Sequence, residues 1–286
     1  MADQALKGKT VLVTGASRGI GRAIALRCAK GGANLVLAAK SVQPHPKLQG
    51  TVTSVAKEVE KAGGRALPLG VDVRDYEQID AMVAQAVKTF GGIDILVNNA
   101  GALKMVPVAE TSPKIFDLVN GINVRSAFLC ARACLPYLEK SSQAHILNLS
   151  PPLSWDPKWL KGRLAYTISK YGMSLCTLGM ADEFRAKKIA VNSLWPKTVI
   201  DTAAIEWIAG KEARRHCRTP EIVADAAYAL FTNTQGKVTG QTLVDEDFLR
   251  TQGVDNFSHY ACEPGNKLAA DFYIEDPQLV STEELM

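Results

Sequence analysis

The chain lacks any apolar run approaching the roughly 20 residues that a membrane-spanning helix needs. It also has no block of lysine and arginine that would mark a nucleic-acid or membrane surface. Its 33 basic and 29 acidic residues leave a net charge of +4 spread along 286 positions, which supports no more than a weak preference for anionic ligands. The six cysteines (Cys28, Cys130, Cys134, Cys176, Cys217 and Cys262) contain no C-x-x-C pair, and the four histidines are dispersed. Zinc-ligand spacing is therefore absent, and a reduced protein without a structural metal is expected. The opening M-A-D-Q-A-L-K-G-K has neither the apolar core of a secretory signal nor the Arg-rich pattern of a transit peptide, so a cytoplasmic location is expected. Asn256-Phe-Ser258 matches a glycosylation acceptor that should stay idle without a secretory signal. Internal repeats and linker-like stretches are missing too, so nothing divides the chain into independent domains.

What is present is an alternation. Short apolar runs at 10–15, 34–39, 66–73, 94–100, 145–150 and 189–195 are nearly continuous in hydrophobic residues, as strands buried on both faces should be. Between them lie helix-period stretches near 19–31, 52–62, 76–90, 113–139, 163–186 and 220–232, and T-L-V-D at 242–245 reads as a last strand. This pattern predicts an α/β fold, a doubly wound Rossmann-type parallel sheet of about seven strands with helices on both faces. Residues 1–247 form the expected domain and 248–286 a C-terminal extension packed on or beside it. The segment S-V-Q-P-H-P-K-L-Q-G (41–50) stands apart, because its prolines forbid helix and central strand alike.

The first strand runs into T-G-A-S-R-G-I-G, which supplies Gly15, Ser17, Arg18, Gly19, Ile20 and Gly21. A glycine-rich turn between a strand and a helix lets backbone approach a pyrophosphate and aims the helix N-terminus at it. At the end of the second strand an acidic residue would bind a ribose 2′-hydroxyl and repel a 2′-phosphate. Here Lys40 stands in that place, and Arg18 offers a second cation, which favours NADP(H). An ordinary solvated surface charge is the competing reading for each. Asp72 and Val73, at the expected end of the third strand, are candidates for the adenine edge, with a solvated carboxylate as the alternative for Asp72. Asn99, Ala100 and Gly101 end the fourth strand, where small residues let backbone lie against the cofactor.

In A-Y-T-I-S-K-Y-G (165–172), Tyr166 and Lys170 are four apart, so a helix stacks them on one face. The pair is either an acid/base couple or a ring covering an alkyl stem. A lysine charge at about 5 Å, with an effective dielectric near 20, contributes roughly 3 kcal/mol. That amounts to about two pKa units off a tyrosine reference near 10.

Taken together, T-G-A-S-R-G-I-G, N-N-A-G, Asn123 in a long helix, Y-T-I-S-K and the closing V-T-G-Q occur in an order that resembles the short-chain dehydrogenase/reductase family over about residues 8–247. The resemblance implies that Tyr166 passes a proton to a carbonyl oxygen as hydride arrives, that Lys170 binds the nicotinamide ribose, and that Asn123 holds a water behind the lysine. It also implies a catalytic serine about thirteen residues before the tyrosine, where Leu153 stands instead. Ser150, ending the fifth strand, and Ser154, in a proline-rich loop, are the alternatives, with the rigid strand end favouring Ser150. Lys197 replaces the usual glycine after the proline of the sixth strand.

A-A-K-S-V-Q-P-H-P-K-L-Q-G-T, H-I-L-N-L-S-P-P-L and L-W-P-K-T are similar to one subgroup in particular. It implies lipid metabolism, with mitochondrion or peroxisome as alternative locations, although no terminal S-K-L address is present. Its animal members carry a sterol-carrier domain, which is not expected within these 286 residues. The expected activity is an NADP(H)-dependent exchange of carbonyl and secondary alcohol on a small, apolar or lipid-like substrate. The segment 199–218 would act as a lid, and Trp155, Trp159, Trp207 and Ile208 would form an apolar pocket. The subunits would pair as a homodimer or homotetramer through the helices at 113–139 and 163–186. A non-catalytic NADP(H) sensor is the alternative, motivated by the displaced serine and Lys197.

Overall fold

The computed structural model describes residues 4–44, 49–233 and 238–285. Of the proline-rich segment 41–50, residues 45–48 therefore lie outside the described residues. Seven strands form one sheet: β1 Thr10–Thr14, β2 Asn34–Ala39, β3 Arg65–Gly70, β4 Ile95–Asn98, β5 His145–Asn148, β6 Ala190–Trp195 and β7 Thr242–Val244. They are all parallel, in the order β3-β2-β1-β4-β5-β6-β7. The chain winds outward from β1 to β3, then returns to place β4 on the other side of β1. That reversal opens a crevice at the carboxyl ends of β1 and β4, where ligands bind in open sheets of this kind.

Period-two alternation sends each strand's side chains to two separate cores. Val11 and Val13 of β1 pack with α1 (Gly19–Lys30), α2 (Val52–Lys61) and α8 (Glu221–Asn233) through Ile24, Val55 and Val223. Leu12 and Val36 face α3 (Tyr76–Phe90), α5 (Ser126–Leu138) and α6 (Leu164–Glu183) through Ile79, Cys130 and Met180. Each fully buried leucine or isoleucine contributes roughly 1.5–3 kcal/mol, so both layers are held mainly by apolar burial.

Two elements differ from the sequence reading. The third strand stops at Gly70, short of Asp72 and Val73, because its pairing partner β2 ends opposite that glycine, at Ala39. The helix expected over 113–139 is instead α4 (Pro113–Asn120), a π-helical turn at Gly121–Arg125, and α5. A π turn inserts an extra residue into the helical ladder, a device frequent at functional sites, and here it carries the buried Asn123. Two short helices, α7 (Ala203–Ala209) and α9 (Asp245–Thr251), follow β6 and β7 respectively.

The segment after α9 returns to the carboxyl edge of the sheet. Ala270 bridges antiparallel to Thr198, Val199 N–H donates to Ala269 O at 2.9 Å, and Asp271 N–H donates to Lys197 O at 3.0 Å. Trp195 Nε1 donates to Phe272 O at 2.8 Å.

Candidate active site

The glycine turn is held hard against the end of β4. A Cβ added to Gly15, whose φ is +67°, would lie 2.9 Å from Ala100 Cα. On Gly21 it would lie 2.6 Å from the carbonyl oxygen of Gly15. Asn99 locks the junction, its Nδ2 donating to Thr14 O at 2.9 Å and Gly15 O at 3.1 Å. Beyond the turn, α1 starts without a side-chain cap and without an acidic residue in its first turn. Its first amide groups are thus left for an anion, and the residues fit the pyrophosphate of a dinucleotide.

Arg18 does not stand free beside that turn. Its guanidinium donates to Gln49 O at 2.9 Å, Gly50 O at 2.9 Å and Ser41 Oγ at 3.2 Å, drawing the described end of the 41–50 segment over the glycine turn. Lys40 is 63% exposed and pairs with Asp72 at 3.2 Å. Asp72 is held chiefly by Arg74, at 2.5 Å and 3.0 Å, which keeps its carboxyl well below the usual carboxylate range. Val73 is buried beside it. Arg18 and Lys40 thus gather just past the end of β2, and Arg74 joins them through Asp72 from a position the sequence reading had not singled out.

At the other end of the crevice a cavity of about 160 Å³ is bounded by Ile20 and Asn99 on the cofactor side, Tyr166 and Lys170 from α6, and Trp195, Asp271 and Phe272. Tyr166 and Lys170 are both buried. Lys170 Nζ donates to Leu149 O at 2.8 Å and lies 5.3 Å from the Trp195 ring centroid. Burial lowers its pKa to about 8. The Tyr166 hydroxyl is pushed well above its ordinary value by burial first, then by Tyr273 and Asp271. The direction is opposite to the lowering expected from Lys170: burial governs Tyr166, and the Lys170 ammonium is engaged by the Leu149 carbonyl.

Asn123 is fully enclosed. Its Oδ1 accepts from Ala102 N–H at 2.8 Å, and its Nδ2 donates to Ala102 O at 3.1 Å and Ser169 Oγ at 2.8 Å. The π turn thus ties the loop after Gly101 to α6, one residue before Lys170. Ser150 is also fully buried, and its Oγ has no partner among the described residues. It does not bound the cavity; Leu149 does. Ser154 is only half-buried and accepts from Asp156 N–H at 3.3 Å.

The expected pocket aromatics are corrected. Trp207 and Trp155 are 81% and 88% exposed and, like Ile208, do not bound the cavity. Trp159 is buried against Tyr273 with ring centroids 5.7 Å apart, outside the cavity wall. Ile200, Thr202, Ala204 and Ile205 supply the contribution of the 199–218 segment. Exposed residues on the outer turns of a short helix cannot reach inward.

Lys197 turns away from the site and toward the C-terminal segment. Its Nζ lies 3.0 Å from Asp247, 3.4 Å from Asp276 and 3.7 Å from Glu246, and its N–H donates to Asp245 Oδ1 at 2.9 Å. Asp271, Phe272 and Tyr273 were missed by sequence reasoning. Their signal was the apolar run L-A-A-D-F-Y-I (268–274), a stretch too hydrophobic for a solvated tail, with one acid at its centre.

A family model described as short chain dehydrogenase matches residues 9–211. The chain is 55% identical over 270 residues to hydroxysteroid dehydrogenase-like protein 2 of Danio rerio, a match that covers 94% of this chain and 65% of that one. The chain thus spans just under two-thirds of the length of that relative. The structure of a short chain dehydrogenase from Mycobacterium thermoresistibile superposes with a TM-score of 0.90 at 48% identity, covering 95% of this chain and 97% of the other. A metagenomic short-chain oxidoreductase in complex with NADP superposes with a TM-score of 0.70 at 29% identity, covering 84% and 97%. The chain belongs to the short-chain dehydrogenase family, whose members are oxidoreductases using a nicotinamide cofactor. Among the described residues, no helix is long and apolar enough to cross a membrane.

Proposed function

We propose that this protein is an NADP(H)-dependent oxidoreductase that interconverts a carbonyl and a secondary alcohol on a small, apolar or lipid-like substrate. The observation that carries the reading is the burial of Tyr166 and Lys170 together in the wall of one cavity at the carboxyl edge of the sheet. When bound, the nicotinamide supplies or accepts the hydride. The chain's own part is to hold a neutral tyrosine hydroxyl where the substrate oxygen arrives, and the raised pKa of Tyr166 suits it to donate rather than accept in the reducing direction. Lys170, near neutrality in its own titration, orients the ribose and follows the proton.

Lys40, Arg18 and Arg74 support NADP(H) over NAD(H), as does the printed complex of the metagenomic relative. Gly15, Ser17, Gly19, Ile20, Gly21, Asp72, Val73, Asn99, Ala100 and Gly101 complete the cofactor cradle, with Asn123 holding the loop that follows it. Between the serines, the unpartnered, strand-end hydroxyl of Ser150 supports it over the locally bonded Ser154 as the serine that backs the site, from behind Leu149 rather than in the cavity wall.

A lipid-like substrate is supported by the apolar cavity wall and by the relative's name, hydroxysteroid dehydrogenase-like. Assembly into a homodimer or homotetramer is supported by Phe128, Ile168, Leu175 and Leu178, which remain exposed on α5 and α6. Tail residues 248–286 belong to the same unit in this reading. NADPH oxidation measured against a panel of ketones, aldehydes and 3-oxoacyl thioesters tests the proposal. Turnover of at least one class is expected; tight NADPH binding with no turnover of any would favour the sensor.

A further inference from the structure

The wall of the Tyr166 cavity holds no serine hydroxyl, because Ser150 contributes no surface to it and Leu149 takes its place. A carbonyl oxygen gaining charge during reduction is stabilised best by two donors aimed at the same point. Two of the other polar side chains on the cavity wall are engaged. The Asn99 amide is bonded to Thr14 O and Gly15 O, and the Lys170 ammonium to Leu149 O. Thr202 lies against Gly19 at the pyrophosphate turn. With the Thr202 hydroxyl set at the head of α7, the Asp271 carboxyl is what remains among the described lining residues besides Tyr166.

We propose that Asp271, delivered by the C-terminal segment, is a catalytic residue of this site: its carboxyl group, in the protonated form, donates the second hydrogen bond to the substrate oxygen beside Tyr166. The assignment rests on the carbonyl–alcohol reading of the site.

Three observations place the side chain for this task. Asp271 bounds the same cavity as Tyr166 and Lys170 and lies within electrostatic reach of both. The backbone that carries it is fixed rather than draped, by Asp271 N–H to Lys197 O at 3.0 Å, Trp195 Nε1 to Phe272 O at 2.8 Å, and the Ala270–Thr198 bridge. Next in the chain, Tyr273 takes a left-handed φ of +70°, seating its ring against Trp159, Tyr171 and Trp195. Its hydroxyl lies 3.1 Å from Thr167 Oγ1. Bulky residues adopt that conformation only where their surroundings over-determine it, and here the result is an acid followed directly by two clamped aromatics.

The groups facing the carboxyl keep it neutral. Asp271 retains some accessible surface, as a cavity wall does, yet burial dominates and, with Asp245 of α9, raises its pKa to about 8 against the Phe272 N–H that donates to the carboxyl and the opposing pull of Lys170. Below that pH the group is a donor; above it the carboxylate can only accept, and would repel a substrate oxygen gaining negative charge.

The test compares Asp271→Ala and Asp271→Asn with the unmutated protein, using whichever ketone, aldehyde or 3-oxoacyl thioester it turns over. Removing one oxyanion donor typically costs about 10²–10³ in turnover, so that loss is expected for Asp271→Ala. The amide N–H of Asp271→Asn should restore at least a tenth of the original rate. NADPH affinity, read by calorimetry, should stay within about threefold in both variants, since neither removes a cofactor contact. Lys170 titrates in the same range, so a pH–rate curve would belong to the pair. The carboxyl ¹³C shift of Asp271 is therefore followed directly, and its midpoint should fall near 8. An active protein indifferent to Asp271→Ala overturns this assignment alone. So does a midpoint in the ordinary carboxylate range, or a loss of NADPH binding that Asp271→Asn does not repair. An unmutated protein that turns over nothing in the panel overturns the functional reading, and this assignment with it.

Discussion

Along the carboxyl edge of the sheet, the side that begins at β1 and the side that begins at β6 are built in opposite ways. Around β1 the cradle comes from short strand-end segments: a glycine turn with the start of the helix that follows it, and the first residues after β2 and β4, which the order of the parallel strands sets side by side. Around β6 the wall comes from side chains of α6 and β6 and from a C-terminal segment that belongs to no strand of the sheet, Phe272 meeting Trp195 across 77 positions. On the first side backbone groups and small residues do the recognising, so the requirement is for a local shape. On the second side whole side chains do it, so the requirement is for a distant segment to be brought home. Lys197 marks the boundary: on the familiar pattern it is an intruder beside the cofactor, yet its charge serves Asp247, Asp276 and Glu246.

The comparison would break most sharply at Tyr166, which both sides are expected to serve. Tyr166→Phe should lower turnover by roughly 10²–10⁴, the usual worth of general acid–base help, while NADPH affinity stays within a few-fold. Half the original rate in that variant would reduce Tyr166 to a packing residue. On the cofactor side, Lys40→Asp should weaken NADPH at least tenfold, since a charge-assisted hydrogen bond is worth about 1.5–3 kcal/mol. It should also place a second carboxylate beside Asp72. Calorimetry that finds NADH bound more tightly than NADPH by the unmutated protein would remove the basis for this expectation.

On the substrate side, Ser150→Ala should lower turnover about tenfold, the upper range for one net hydrogen bond, and Ser154→Ala should change it less than twofold. The reverse ranking would mean that the loop after β5 turns Ser154 inward during turnover. Lys197→Met should likewise change the rate less than twofold, because it touches no reacting atom. Its signature is local: faster amide exchange over residues 269–276 with β1 and β4 unchanged. Uniform loosening of the whole sheet would show that the two sides are not separable.

The six apolar runs and their spacing were enough to forecast a parallel sheet, since a strand buried on both faces has few other ways to look in a sequence. The glycine turn and the Tyr166–Lys170 pair were legible for a similar reason: their geometry depends on residues within one or two helical turns. The end of β3, the π turn at Asn123 and the sealed Ser150 were not, because each depends on what a neighbouring element leaves room for. Whether a tryptophan lines a pocket or faces water is of the same kind, and Trp155 and Trp207 face water.

By itself, then, the sequence determined the fold class, the glycine turn at the end of β1 and the position of the tyrosine–lysine pair, all consequences of short-range periodicity and backbone conformation. Only the tertiary structure decided what surrounds that pair. The pKa of Tyr166 rises rather than falls because desolvation is a property of the whole enclosure, not of a four-residue spacing. Likewise Asp271 reaches the cavity because Lys197, Trp195 and the aromatic seat of Tyr273 hold a distant segment there, and no local pattern encodes that meeting.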